Sequence, residues 1–524
     1  MDPFAEAVMK EFKPMKHRTC SSLKPLTSID QDFDADVAKL LIHEERISQF
    51  FNESTQSGFS CCYHKVEDSS NSLVYSNCIQ FKTNHQLMPD EEFLLVKCSA
   101  SENSTTKLIY VNGHSIVRMK ENVRQRIENS TEDKLSILLL GLDSVSRMQF
   151  IRSFPNLLDH LKKTGWFELK FYNKVGDNTL LNLFPLMTGI STREAKKIKD
   201  SGKSDVLPFL WEDFRDAGYA TISAEDNMPY STFHYLEGGF EEHPIDYNFH
   251  TYARLLETNL EKSECDDLNP ISTYRAFLGF HYYVDYLYEY AFAFLRMFRS
   301  KPTFSFIWSG SFTHDNINLP SSMDDKMLDY LKKLEDFGTL GNTFVVFFSD
   351  HGMRYGKHIL KLVGGTEKNY IEWKVTCPSC QSIFEEIPIN RKCADAGIPD
   401  GWCACKDFEE VKLNSEITKK LANIIIEHLN NGLASYPNCA NLTLDFVRSS
   451  YKSELEVSSE KLTDFLISFD ANPSKAVLQA TVRCENGSNC DHYKIIGGVS
   501  RLNAYHGQSD CIADAHQRKY CYCI

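Results

Sequence analysis

Residues 135–144 read "LSILLLGLDS", an apolar run that stops abruptly at Asp143 and Ser144. The run is far below the roughly 18–20 residues that a bilayer span requires, and its length suits a strand buried on both faces. The chain beyond it repeats one grammar. "FPNLLDHLKKTG" (154–165) is an amphipathic helix with a Gly stop, and "FELKFYNKV" (167–175) is the next strand. "PFLWEDFRDAG" then leads into "YATISAED", and "MDDKMLDYLKKLEDFGTLGN" into "TFVVFFSDHGM". Helices alternating with near-continuous apolar strands imply an α/β fold with a mostly parallel central sheet, covered on both faces.

Outward from this centre the pattern changes. Residues 1–18 are charged, lack periodicity and read as a tail, while 19–130 carry short strand-like runs such as "LVYSNCIQF", "EEFLLVKCSA" and "TKLIYVNG". This predicts a cysteine-containing β-rich region, set off by the polar stretch "KENVRQRIENSTEDK". The α/β domain is expected over 131–430, with a cysteine-rich insertion near 377–405. A β-rich, cysteine-rich region occupies 431–524. The aromatic helix "HYYVDYLYEYAFAFLRMFRS" (281–300) reads as core rather than as a ligand box.

Composition narrows the function. With 57 Lys+Arg against 71 Asp+Glu the net charge is −14, which disfavours a nucleic-acid partner. No segment reads as a membrane helix, and the opening residues show no leader with a charged start and an apolar middle. Seventeen cysteines are many for a reduced compartment and predict about eight disulfides with one thiol left over. The competing use of Cys377, Cys380, Cys403 and Cys405 as a zinc site suffers from an unusual second pair spacing. Glycosylation triplets at Asn52, Asn103, Asn129, Asn441 and Asn486 point the same way as the cysteines, to a secreted or secretory-pathway glycoprotein.

In a parallel sheet, ligands collect at the carboxyl ends of the strands. The polar residues standing there are Asp143, the pair His314 and Asp315 in "FIWSGSFTHDN", and the pair Asp350 and His351. A fourth element is "GDNTLLNLFPLMTG" (176–189), where Thr179 opens an apolar helix and Asn182 lies a turn later on the same face. Carboxylates, an imidazole and a hydroxyl together suit Zn²⁺, with Mn²⁺ as an alternative. Such an ion would acidify the threonine hydroxyl, a poor nucleophile at its ordinary pKa. Asn182 is then a candidate donor to a developing negative oxygen. Glu225 and Asp226 end another strand, but an acidic pair in that position is normally solvated, so neither is expected to be a ligand.

These residues, in this order, resemble the alkaline phosphatase superfamily. "TLLNLFPLMTG" is similar to the nucleophile motif of nucleotide pyrophosphatase/phosphodiesterases, and "SDHGMRYG" to the metal motif of phosphoethanolamine transferases and sulfatase relatives. "LLLGLDSVSR", "FYNKVGDNT", "CADAGIPDGWCAC", "SRLNAY" and the terminal "CYC" look like an uncharacterised animal branch catalogued as a domain of unknown function. The likeness covers roughly 60–524 and implies an alkaline-phosphatase-like α/β/α sandwich. It further implies that Asp143, Thr179, Asp350 and His351 ligate one metal, with Thr179 as nucleophile and Asn182 bonding a phosphate oxygen. For a second metal the superfamily uses a Pro-Asp-x-x-Gly-His pattern. This chain has "FTHDNIN" instead, closer to the transferase segment whose histidine contacts substrate, so His314 is expected in that role and Asp315 as a further metal ligand. His358 and His506 are the remaining histidines with a resemblance to ligand positions, and both read better as surface residues.

The resulting expectation is a secreted metal-dependent phosphoesterase acting on a phosphorylated small molecule, glycan or lipid head group through a phosphothreonine intermediate. A phosphoethanolamine-type transferase uses the same site with a different acceptor. A sulfatase is disfavoured because the Cys- or Ser-Pro-x-Arg nucleophile motif is missing. A catalytically silent glycan-binding protein is the alternative from another class.

Overall fold

A computed structural model describes residues 3–19, 21–51, 58–69, 72–102, 105–128, 134–169, 174, 176, 178–191, 194–195, 206–228, 231–233, 240, 244–260, 275–353, 408–457, 460–485, 490–503 and 507–524. The chain divides into two compact units: Pro14–Glu168 with Leu183–Asp350, and Met1–Lys13 with Leu169–Asn182 and His351–Ile524.

At the heart of the first unit is a five-stranded sheet in the order Tyr247–Asn248, Ala220–Glu225, Thr303–Ser309, Ser136–Leu142, Thr343–Ser349. Every neighbouring pair is parallel. The mixed α/β architecture with a parallel sheet is therefore as the sequence reads. The strand Ser136–Leu142 is the first of the five in chain order yet lies between the two last, so the chain crosses to one side of it first and to its other side last. Such a reversal opens a crevice at the carboxyl ends of the strands.

Alternation sends the side chains of each strand to two different clusters. Leu138, Leu140, Leu142, Ala220, Ile222, Ala224 and Ile307 enter the main apolar core. That core is filled by the helix Tyr283–Met297, eleven of whose fifteen residues are buried, as its aromatic stripe predicts. On the other face Phe304 stacks on Phe214 of the helix Leu210–Asp216, and Trp308 stands over Gly141. The register puts Glu225, Trp308 and Gly141 in one row across three strands.

The same unit contains an antiparallel sheet built from Phe59–Ser69, Ser72–Tyr75, Ile79–Phe81, Phe93–Glu102 and Thr105–Ser115. Cys61–Cys98 bridges two facing positions of it, and Cys62–Cys78 ties the next turn. The polar stretch after it is not a bare linker. Val123 and Ile127, one turn apart, give Glu121–Glu128 a buried edge and it folds as a helix. Nor does the described part of "FELKFYNKV" extend the sheet, since Phe167 to Leu169 form no strand.

The second unit holds a five-stranded antiparallel sheet, Glu409–Glu410, Thr443–Val457, Glu460–Asn472, Ala476–Glu485 and His492–Arg501, in sequential order. Sequential antiparallel strands leave one face to be covered, and the amphipathic helix Glu416–Leu433 covers it through Leu421, Ile425 and Leu429. Cys439–Cys521, Cys484–Cys490 and Cys511–Cys523 staple this unit. In the amino-terminal stretch Glu6–Glu11 is helical, with Val8 and Phe12 buried, so that segment is more than a charged tail.

Candidate metal centre

Two neighbouring strands of the parallel sheet end in aspartate. In the pairing of Ser136–Leu142 with Thr343–Ser349, Leu142 faces Ser349, so Asp143 and Asp350 leave the sheet side by side. Asp143 is 3% exposed and Asp350 2%. Backbone bonds hold them. The Asp143 N–H donates to the Ser309 carbonyl at 2.9 Å, and the Val145 N–H to the Ser349 hydroxyl at 3.0 Å. Between them Ser144 adopts the left-handed conformation at φ 61°, uncommon for a residue with a Cβ. That turn aims its N–H at Asp350 Oδ1 (3.1 Å) and its hydroxyl at Asp143 Oδ1 (2.9 Å). Ser144 was not legible as a site residue, because serine is ordinary after a strand.

His351 follows directly and is 5% exposed. Its Nδ1 lies 2.8 Å from the Gly352 carbonyl, an acceptor only, so in the neutral ring the proton sits on Nδ1 and Nε2 keeps its lone pair. Asp143, Asp350 and His351 each offer one ligand atom, and these atoms lie within 4.8 Å of one another. Two hard carboxylates with a borderline imidazole in the ligating tautomer fit a divalent ion such as zinc or manganese. A second close group, Cys439, Cys511 and Cys521, is consumed by disulfides.

Thr179 begins the helix Thr179–Thr188, and its Oγ1 is 3.3 Å from His351 Nε2. Asn178 caps that helix, its Oδ1 accepting the Leu181 N–H at 3.1 Å. Asn182 has another task. Its Oδ1 accepts the Gly176 N–H (3.0 Å), and its Nδ2 donates to the carbonyls of Gly176 and Asn178 (2.9 Å each). The side chain expected to bond a phosphate oxygen thus fastens the loop that precedes the nucleophile candidate. Gly176 makes this possible, since a Cβ there would lie 2.3 Å from the Leu181 Cβ.

His314 and Asp315 pair with each other, Nδ1 to Oδ1 at 2.5 Å. Asp315 is not among the three clustered donors. His358, His506 and the four cysteines of the alternative zinc reading lie outside the described residues.

The acidic pair at 225–226 departs from its reading as solvated, because the turn after Thr303–Ser309 packs over it. Asp226 accepts the Ser309 hydroxyl (2.6 Å) and the N–H groups of Gly310 (2.8 Å) and Ser311 (3.2 Å). Burial pushes its carboxyl up to about 6, although those bonds favour the ionised form. Glu225 accepts the Thr232 N–H (2.7 Å) and hydroxyl (2.6 Å). Burial raises it to about 8, with the nearby charges of Asp226 and Asp143 adding to the effect.

Fold and site together define a mixed α/β protein with a candidate divalent-metal centre at the carboxyl ends of a parallel sheet. The family model described as a protein of unknown function, DUF229, matches residues 13–370 and 357–448, and the chain belongs to that family. No curated protein matches it.

Proposed function

We propose that the chain is a metal-dependent phosphoester hydrolase of the secretory pathway, with an alkaline-phosphatase-like arrangement of its parallel sheet and Thr179 as nucleophile. The observation that carries this reading is the hydroxyl of Thr179 at the start of a helix, 3.3 Å from an imidazole that clusters with two buried carboxylates. Asp143, Asp350 and His351 would hold the ion. When bound, it would supply Lewis acidity that lowers the pKa of a nearby hydroxyl and offsets charge on phosphoryl oxygens.

The chain's own residues do the rest. Thr179 Oγ forms the bond to phosphorus, the bond to the alcohol oxygen breaks, and the alcohol leaves with a proton. Water then releases phosphate from the threonine. The helix start presents N–H groups to the phosphoryl anion. Asn182 keeps Gly176 and Asn178, and so Thr179, in place. His314, oriented by Asp315, is assigned the contact with the leaving oxygen. Five disulfides among the described residues support an oxidising compartment. No described helix is long and apolar enough to cross a membrane.

The test is metal content by plasma mass spectrometry, with turnover on phosphomonoester and phosphodiester panels. Thr179→Ala should keep the metal and lose at least roughly a thousandfold in turnover. Asp350→Asn should lose both. Full turnover in Thr179→Ala would sink the nucleophile assignment. An added alcohol acceptor that captures the phosphoryl group quantitatively would favour transfer over hydrolysis.

A further inference from the structure

Four half-cystines of the second unit stand together. Cys439 is bonded to Cys521, and Cys511 to Cys523. Between these two disulfides the Sγ atoms of Cys511 and Cys521 lie 3.7 Å apart, in contact. The sulfurs of Cys439, Cys511 and Cys521 fall within 4.8 Å of one another. The backbone sets the other pair. Cys439 and Cys523 face each other in an antiparallel bridge, flanked by bonds from the Ala440 N–H to the Tyr522 carbonyl (2.8 Å) and from the Ile524 N–H to the Asn438 carbonyl (3.1 Å). Because both bonds belong to neighbouring residues, Cys439 and Cys523 form a non-hydrogen-bonded pair, the arrangement that brings facing side chains closest. Cys61–Cys98 shows that facing cysteines of an antiparallel pair are joined elsewhere in this chain. Each of the four thus has one partner to which it is bonded and a second beside it.

We propose that these four cysteines form a thiol-exchange site, at which a small thiol converts the present pairing into Cys439–Cys523 with Cys511–Cys521 and is itself released. The entering thiolate attacks Sγ of Cys511, the exposed member of the four. A bond forms between those two sulfurs, the Cys511–Cys523 bond breaks, and Cys523 leaves as thiolate. The Cys511 N–H donates to Sγ of Cys523 at 3.1 Å, and a hydrogen bond that favours the charged form makes Cys523 the better leaving group. Cys523 then attacks Sγ of Cys439 across the bridge and displaces Cys521. The Cys521 thiolate attacks Sγ of Cys511 and expels the small thiol, which regains the proton lost on entry. Each breaking bond leaves its electron pair on the departing sulfur, so two disulfides become two disulfides with no net oxidation or reduction. Chain entropy separates the pairings little. The alternative lengthens the larger loop by two residues and shortens the smaller separation from 12 to 10, while closure entropy follows the logarithm of length. The tail is also held without sulfur. The Cys523 N–H donates to the Gln508 carbonyl (2.8 Å), and the Arg501 guanidinium to the Lys519 carbonyl and the Gln508 side-chain oxygen (2.9 Å each), so the segments stay aligned while the sulfur bonds move. None of this rests on the proposed phosphoester chemistry.

The experiment incubates the full, oxidised chain with 2-mercaptoethanol in the absence of oxygen, quenches with acid, alkylates free thiols and digests with chymotrypsin. Cleavage after Tyr436, Tyr505, Tyr520 and Tyr522 puts the four cysteines on four peptides, so each pairing gives its own masses. Peptides joining Cys439 to Cys523 and Cys511 to Cys521 should rise together to at least roughly one chain in ten, as near-equal loop entropies predict, with the thiol unconsumed. Failure of these peptides to appear would overturn the proposal. Pairing of any of the four with Cys484 or Cys490 would mean general scrambling and would overturn it too. A second measurement needs no added thiol. Cys523→Ser leaves the Cys511 sulfur free beside Cys521, and it should take Cys521 over from Cys439 in part of the population, so that alkylation labels Cys439 as well as Cys511. Label on Cys511 with none on Cys439 would overturn the exchange.

Discussion

Glu225 reverses the pH dependence usual for a carboxylate. Its folded pKa of about 8 lies above the ordinary glutamate value of 4.5, so between these limits the folded chain holds a proton that the unfolded chain has released. Stability contributed by this group is complete below about 4.5 and is lost as pH rises toward 8. Asp226, raised to about 6, adds in the same direction over a narrower window. Glu225→Gln keeps an acceptor for Thr232 and removes the titration. Its melting temperature should fall less than the parent's between pH 5 and 8, by a few degrees, in calorimetric scans; parallel curves would refute the assignment. Gly141 is a second test at this scale. An added Cβ would meet the Trp308 ring at 2.0 Å, so Gly141→Ala should cost about 1–3 kcal/mol in denaturant unfolding. Asp143 and Asp350 were legible because each follows an apolar run that ends at once. The burial of Asp226 was not, because it depends on a turn more than eighty positions away.

At the level of the element, the helix Thr179–Thr188 shows how far local sequence carries. Its apolar residues could be read directly, whereas the sequence leaves the cap open between Asn178 and Thr179; the structure gives it to Asn178, and Asn178→Ala should destabilise by about 1 kcal/mol in chemical unfolding. The work of Asn182 could not be read, because an amide that binds backbone and one that binds a phosphate oxygen look alike in a sequence. The three bonds to Gly176 and Asn178 give a distinct expectation. Asn182→Asp retains the acceptor for the Gly176 N–H and loses both donations. Its kcat and its melting temperature should therefore drop together while metal content holds, whereas a pure substrate contact would lower activity with stability unchanged.

Across the whole molecule the alternation of helix and strand after residue 135 located the sheet, and near the carboxyl terminus the sequence showed β-rich character without the length or the antiparallel pairing of the strands. The order of the parallel strands was hidden, since pairing between distant segments leaves no local periodicity. Disulfide partners were hidden for the same reason. Cys439–Cys521 closes a separation of 82 residues, so replacing both with Ala should cost about 4 kcal/mol by loop-closure entropy, read from denaturant unfolding of the otherwise oxidised chain.

The strand Thr343–Ser349 is the outer strand of its sheet, and every one of its residues is only half-buried. Its far end is fastened to the neighbouring strand by Ser349 and Asp350. A cation shared by Asp143 and Asp350 would therefore act as a clasp on the sheet's margin, because whatever binds only the closed arrangement stabilises it. Chelation should then be visible far from any substrate, as faster amide exchange along 343–349 while the inner strand Thr303–Ser309 stays protected. The chain would carry its own gauge of metal loading, written in the fraying of a single edge.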